Sequence, residues 1–136
     1  MRRKGERERE MEMRKLAPRA RARSLMCALR GVGIVLRSQP NGWIMVVAGV
    51  CTIAAGFLLE VSTGEWCLLL IAVFVVLVAE LFNTAIEFLT DLVAPEYHPL
   101  AGKAKDAAAG AVLLASVLAF LIGLVILAPK MAAVLR

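Results

Sequence analysis

The sequence predicts an all-α membrane protein, in which an N-terminal amphipathic surface helix precedes three transmembrane helices. The 136 residues are 60% hydrophobic and have a mean hydropathy of +0.77, which is more apolar than an ordinary soluble domain. The apolar residues form long uncharged segments, and residues 107–128 alone reach the ~20 residues that a membrane span needs. Twelve of the sixteen Lys and Arg residues lie in residues 1–37, a bias that predicts a cytoplasmic N-terminus.

The N-terminal part of the chain divides into two segments. Residues 1–15, MRRKGEREREMEMRK, mix both charge signs with few apolar side chains, so we expect a solvated charged extension. In residues 16–37, Arg recurs among Leu, Met, Val and Ile. That pattern predicts a surface helix in the membrane interface, with its basic side chains toward lipid headgroups.

Residues 16–136 are predicted to form one membrane domain, with spans at about residues 40–59, 65–93 and 106–128. The second span begins with fourteen uncharged residues, 66–79, which make a helix of only about 21 Å. It therefore crosses a membrane only if its polar continuation also enters it. The connection at 60–65 has no basic residue and is predicted outside, whereas residues 94–106 contain two lysines and return inside.

Composition excludes several soluble functions. One histidine and three widely separated cysteines make a Cys/His zinc site improbable, so the cysteines are interpreted as small packing residues. No GxxxxGK[ST] motif is present to cradle a nucleotide in a soluble fold. Nucleic acid is not an expected partner, because the net charge is only +5 and no stacking aromatics accompany the basic residues.

The second predicted span carries a polar stripe. On a helix at 100° per residue, four side chains fall within about 80° of each other, and we call them the carboxylate face: Glu80, Asn83, Glu87 and Asp91. Ionised carboxylates in hydrocarbon cost several kcal/mol each, so they usually mark ion paths, proton relays or catalytic sites. The face could hold Mg²⁺ with substrate phosphates, or supply a general base. A cation pathway and polar contacts between helices are the alternatives.

Charged residues also gather where the second span returns to the cytoplasmic side. Residues 94–106 contain Glu96, His98, Lys103, Lys105 and Asp106. Lysine suits phosphate as a compact positive charge, and an anionic nucleotide could approach this boundary from water. Acids inside the membrane and cations at its rim together indicate phosphoryl transfer to a molecule dissolved in lipid.

Residues 79–116, AELFNTAIEFLTDLVAPEYHPLAGKAKDAAAGAVLLAS, resemble the signature of the small prokaryotic integral membrane diacylglycerol kinases and the related undecaprenol kinases. The resemblance covers ExxNxxxE, a downstream Asp, the Glu-Tyr-His of the connection and the AKD before a small-residue span. A weaker resemblance upstream, in SLMCALRGVGIVLRSQPN, extends it to residues 20–128.

The resemblance implies a lipid kinase of the bacterial plasma membrane that uses ATP and Mg²⁺ as a homotrimer with shared active sites. It implies diacylglycerol as acceptor, with undecaprenol as the alternative. Glu80 would be the general base with Asn83 beside it, Glu87 would hold the metal, and Asp91 would support the site. The implied nucleotide contacts are Glu87, Glu96, Tyr97, His98, Lys105 and Asp106.

One position departs from the family pattern. Where the family has a second metal-binding Glu, this chain has Gln39, whose neutral amide oxygen compensates less for dehydrating Mg²⁺. Either Gln39 suffices as a ligand, or another acid replaces it, or the protein is weakly active or binds something else. A non-catalytic member of the same fold is the further alternative. A large gain of turnover in Gln39→Glu would favour a weakened kinase.

Overall fold

A computed structural model describes residues 20–37 and 40–135 of the chain. Helices occupy most of these residues, which confirms the predicted all-α fold. They are α1 (Ala20–Arg37), α2 (Pro40–Leu58), α3 (Thr63–Val93) and α4 (Pro99–Val134). The chain divides between residues 34 and 35 into two units, with α2, α3 and α4 in the second. The predictions for residues 1–15 and Gln39 lie outside the described residues.

Helices α3 and α4 are each long and apolar enough to cross a membrane. With 31 and 36 residues they measure about 46 and 54 Å, more than the ~30 Å of a hydrocarbon core. Helix α4 extends beyond the predicted span of 106–128 at both ends. By length and composition the described residues contain two candidate spans, or three if α1 and α2 are counted together as one broken span.

Local sequence signals determine where α3 begins and ends and where α4 begins. Ser62 and Glu65 form a capping box, in which the Ser62 N–H donates to Glu65 Oε2 at 2.7 Å. Helix α3 ends at Val93 because the residue before Pro95 disfavours helical geometry. At the start of α4, His98 Nδ1 accepts a hydrogen bond from the Leu100 N–H at 3.2 Å. Only residues 94–98 therefore separate two long helices.

Helices α3 and α4 pack antiparallel, and two ion pairs show which of their residues lie opposite each other. Lys130 Nζ lies 3.3 Å from Glu65 Oε2 at one end, and Lys105 Nζ lies 2.5 Å from Asp91 Oδ1 at the other. The uncharged part of α4 lies between these pairs. It therefore runs alongside the segment of α3 that carries Glu80 and Glu87.

The packed interior of the second unit is small. Val61, Leu69 and Ile126 form a buried cluster, against which Trp66 packs from α3. Many large apolar side chains point outward along all the described helices, Phe74 and Phe82 among them. Water-soluble monomers rarely expose so large an apolar surface, so this surface suits lipid or further copies of the chain.

Candidate active site

The middle of α3 buries three consecutive polar positions of one face. The exposed fractions are 4% for Glu80, 7% for Asn83 and 1% for Thr84. Burying a polar group without a partner costs free energy, and burying a charge costs much more. Such residues persist in a stable helix pair when a ligand, a partner chain or a function requires them.

Glu87 is tied to the buried group by a side-chain hydrogen bond. Asn83 Nδ2 donates to Glu87 Oε1 at 3.1 Å, one helical turn further along. The amide oxygen Asn83 Oδ1 is buried and accepts no hydrogen bond within the described residues. An acceptor atom is thus left beside two carboxylate-bearing residues, on the face that the sequence predicts to be functional.

Thr84 belongs to this face but was missed by sequence reasoning. Its position on the helix is about 40° from Glu80, next to the edge of the polar stripe. Its Oγ1 atom is fully buried and has no hydrogen-bond partner in the described part of the chain. The angular position of Thr84 around the helix was the available signal, but a lone threonine in an apolar helix looks like an ordinary packing residue.

The carboxylate face ends at an exposed ion pair. Asp91 Oδ1 is bonded to Lys105 Nζ of α4 at 2.5 Å. Between Glu87 and Asp91, the Thr90 hydroxyl donates to the carbonyls of Ile86 and Glu87, each at 2.9 Å. The structure therefore brings a lysine from α4 to the end of the carboxylate face of α3.

The remaining predicted nucleotide residues lie at the surface of the connection and the first turns of α4. Tyr97 is 91% exposed, and Glu96 and Asp106 are exposed as well. His98 is exposed, and its imidazole caps α4. Within residues 20–37 and 40–135 the side chains of Glu96, Tyr97 and Asp106 form no hydrogen bond or ion pair with the carboxylate face. The structure thus assembles part of the predicted site and leaves this part open to solvent.

The donor atoms of the face fit a hard divalent cation. Mg²⁺ prefers oxygen ligands and usually takes one or two carboxylates together with substrate phosphates. Glu80 and Glu87 offer carboxylate oxygens, and Asn83 Oδ1 is an acceptor without a partner. The described residues contain no cluster of three or more His, Cys, Asp or Glu that could hold a metal without further ligands, so phosphate oxygens would have to complete the coordination.

Comparison with known proteins gives consistent results. The prokaryotic diacylglycerol kinase family matches residues 26–127. An undecaprenol kinase of Bacillus subtilis is 39% identical over 109 residues, covering 80% of this chain and 89% of the relative. A diacylglycerol kinase of Synechocystis is 39% identical over 109 residues, covering 79% and 62%. A diacylglycerol kinase of Helicobacter pylori is 41% identical over 71 residues, and the chain spans 55% of its length.

The family match covers most of the chain, including α2, α3 and nearly all of the apolar part of α4. It confirms the resemblance predicted from residues 79–116 and the assignment to the lipid kinases. The chain belongs to the prokaryotic diacylglycerol kinase family, a family of membrane lipid kinases.

Proposed function

We propose that this protein transfers the γ-phosphoryl group of ATP to the hydroxyl of a membrane lipid. The observation that carries the proposal is the buried polar group on α3, in which Glu80 and Asn83 are nearly inaccessible and Asn83 is hydrogen-bonded to Glu87. The position of this group, in the middle of a helix that is apolar enough to cross a membrane, suits an acceptor dissolved in lipid. The exposed connection and Lys105 are open to a nucleotide from water.

Each residue of the face has a distinct role in the proposed reaction. The lipid hydroxyl oxygen attacks the γ-phosphorus, the bond to the leaving ADP oxygen breaks, and Glu80 accepts the hydroxyl proton. Asn83 orients the Glu87 carboxylate through its amide N–H and can accept a hydrogen bond at Oδ1. No covalent intermediate is required, so catalysis consists of positioning and charge neutralisation.

Glu87 would hold Mg²⁺, with Gln39 as a second, neutral ligand. The bound cation would neutralise charge on the ATP phosphates. Lys105 and Asp106 would contact the phosphates, and Glu96, Tyr97 and His98 would line the nucleotide pocket. This assignment is supported by the ion pair that holds Lys105 at the end of the carboxylate face.

The acceptor lipid has two candidates. Diacylglycerol, which would yield phosphatidic acid, is the acceptor expected from the sequence. Undecaprenol is supported by the extent of the match, since the chain covers 89% of the Bacillus subtilis undecaprenol kinase but 62% of the Synechocystis diacylglycerol kinase at equal identity. Both lipids present a hydroxyl at the membrane boundary.

The proposal includes an orientation and an assembly. The N-terminus would be cytoplasmic in the bacterial plasma membrane, which places the α3–α4 connection on the side where ATP is found. A homotrimer with active sites shared between subunits would cover part of the exposed apolar surface of the helices.

The first experiment measures transfer of labelled γ-phosphate from Mg-ATP in mixed micelles, with diacylglycerol and undecaprenol assayed in parallel. We expect transfer to one of the lipids and a fall of at least about 100-fold in Glu80→Gln, because a general base contributes about 10²–10⁴-fold. Glu60→Gln is the matched control, since Glu60 is an exposed carboxylate in the α2–α3 connection. Its activity should equal that of the unsubstituted protein.

The outcome also tests the alternatives left open by the sequence. Folded protein without transfer to either lipid would contradict the catalytic proposal and favour a non-catalytic member of the fold. Full activity in Glu80→Gln would remove the general base from the mechanism while leaving the kinase assignment intact.

A further inference from the structure

Asp91 and Lys105 meet across the α3–α4 connection. Lys105 Nζ lies 2.5 Å from Asp91 Oδ1, although the residues are fourteen positions apart in sequence. The contact forms because residues 94–98 reverse the chain and α4 begins at Pro99. It joins a cation of one helix to the last carboxylate of the other.

This ion pair contributes little to holding the helices together. The side chain of Asp91 is 64% exposed and that of Lys105 is 39% exposed, and exposed pairs add little to stability. Removing one partner would leave the other in contact with water. The consequence of the contact is therefore the direction in which Lys105 points.

Without Asp91, Lys105 has competing partners. A lysine near a membrane boundary extends its flexible stem and places the ammonium among lipid phosphates. Asp91 lies four residues after Glu87, so the two side chains are neighbours on α3. An ammonium bonded to Asp91 consequently stays beside the carboxylate face.

We propose that Asp91 is a positioning residue, whose carboxylate holds the Lys105 ammonium at the end of the carboxylate face to receive the phosphates of a nucleoside triphosphate. The inference rests on the proposed function, in which Lys105 contacts those phosphates. The ammonium has three N–H donors, so it can donate to phosphate while it remains bonded to Asp91.

The test is the steady-state kinetics of Asp91→Asn with Mg-ATP varied at saturating lipid. We expect KM for ATP to rise about two- to fivefold, the range that corresponds to loss of an exposed ion pair, while kcat changes less. Asp91→Glu, which keeps the charge, should restore KM. The matched control is Glu65→Gln, which removes the charge from the other α3–α4 ion pair and keeps an acceptor for the Ser62 cap.

A double-mutant cycle separates positioning from a general effect on the fold. If Asp91 acts through Lys105, Asp91→Asn should add no further rise of KM in a Lys105→Ala background. If the Lys105→Ala variant turns over too slowly for KM to be measured, the affinity for a fluorescent ATP analogue provides the same comparison.

Three results would overturn the inference: an unchanged or lowered KM in Asp91→Asn, an equal rise in Glu65→Gln, or a rise that persists without Lys105. A lowered KM would mean that Asp91 competes with phosphate for the lysine. If the unsubstituted protein is active and Asp91→Asn has the same KM, the positioning role is refuted and the proposed function is not affected. Unsubstituted protein that neither transfers phosphate nor binds the analogue would overturn the proposed function and this inference with it.

Discussion

At the residue scale, Thr84 is the polar side chain whose burial has the clearest energetic consequence. Its hydroxyl is buried and has no partner within the described residues. An unsatisfied buried hydroxyl costs about 1–3 kcal/mol relative to one in water. A hydrogen bond from substrate or from another subunit to this hydroxyl would remove that cost.

We therefore expect Thr84→Val to raise the free energy of unfolding of the substrate-free protein by about 1 kcal/mol, since valine has the same shape without the hydroxyl. The measurement is thermal denaturation in detergent micelles. Thr90→Val is the control on the same helix, because the Thr90 hydroxyl donates to two backbone carbonyls, and it should lower stability by about 0.5 kcal/mol. A lower melting temperature in Thr84→Val would show that the hydroxyl already has a partner.

Helical periodicity predicts which side chains share a face of a helix, but it does not predict their contacts. Helical periodicity alone placed Glu80, Asn83 and Glu87 on one face, because 100° per residue is independent of tertiary structure. It could not predict the bond between Asp91 and Lys105, which depends on how a five-residue connection reverses the chain. Nor could it predict that the His98 imidazole caps α4, since capping depends on the backbone geometry at that residue.

At the scale of elements, close approach between α2 and α3 depends on a glycine. A Cβ atom added at Gly56 would lie 2.7 Å from Cη2 of Trp66, and Trp66 also packs on Phe57 with ring centroids 4.8 Å apart. Any side chain at residue 56 must displace the indole. The indole in turn contacts the buried cluster of Val61, Leu69 and Ile126.

We expect Gly56→Ala to destabilise the protein by about 1–3 kcal/mol through overpacking. Gly64→Ala is the control: nothing lies within 4 Å of the added Cβ there, and alanine in a helix is favoured over glycine by up to about 1 kcal/mol. Thermal denaturation followed by tryptophan fluorescence reports both stability and displacement of the indole. Equal stability of the two variants would contradict the steric argument.

Helix ends depend on local capping, which hydropathy does not report. The capping signals are local, so Ser62-x-x-Glu65 explains why α3 starts at Thr63, two residues before the predicted boundary. Helix α4 starts at Pro99, within the polar segment that precedes the predicted membrane span of 106–128, because proline at the first helical position and the His98 cap begin it there. Hydropathy identifies the part of a helix that is apolar, not the part that is helical.

At the scale of the whole molecule, the two ion pairs between α3 and α4 are separated by a distance close to the thickness of a bilayer. Glu65 and Asp91 are 26 residues apart on α3, or about 39 Å along the helix. A bilayer is about 40–45 Å thick including its headgroup regions and has a hydrocarbon core of ~30 Å. Both pairs can therefore lie among the headgroups while the uncharged residues between them lie in hydrocarbon.

Hydrophobic mismatch follows from this fixed spacing. In a thinner or thicker bilayer the helices must tilt or the lipid must deform, at a fraction of a kcal/mol per Å of mismatch. After reconstitution in phosphatidylcholines of increasing acyl-chain length, we expect turnover to peak where the hydrocarbon core is about 30 Å and to fall on either side. Equal turnover across the series would contradict this expectation. An assay in mixed micelles is the control, because micelles impose no bilayer thickness on the helices. In the cell, the activity of such an enzyme would respond to the acyl-chain length of its own membrane.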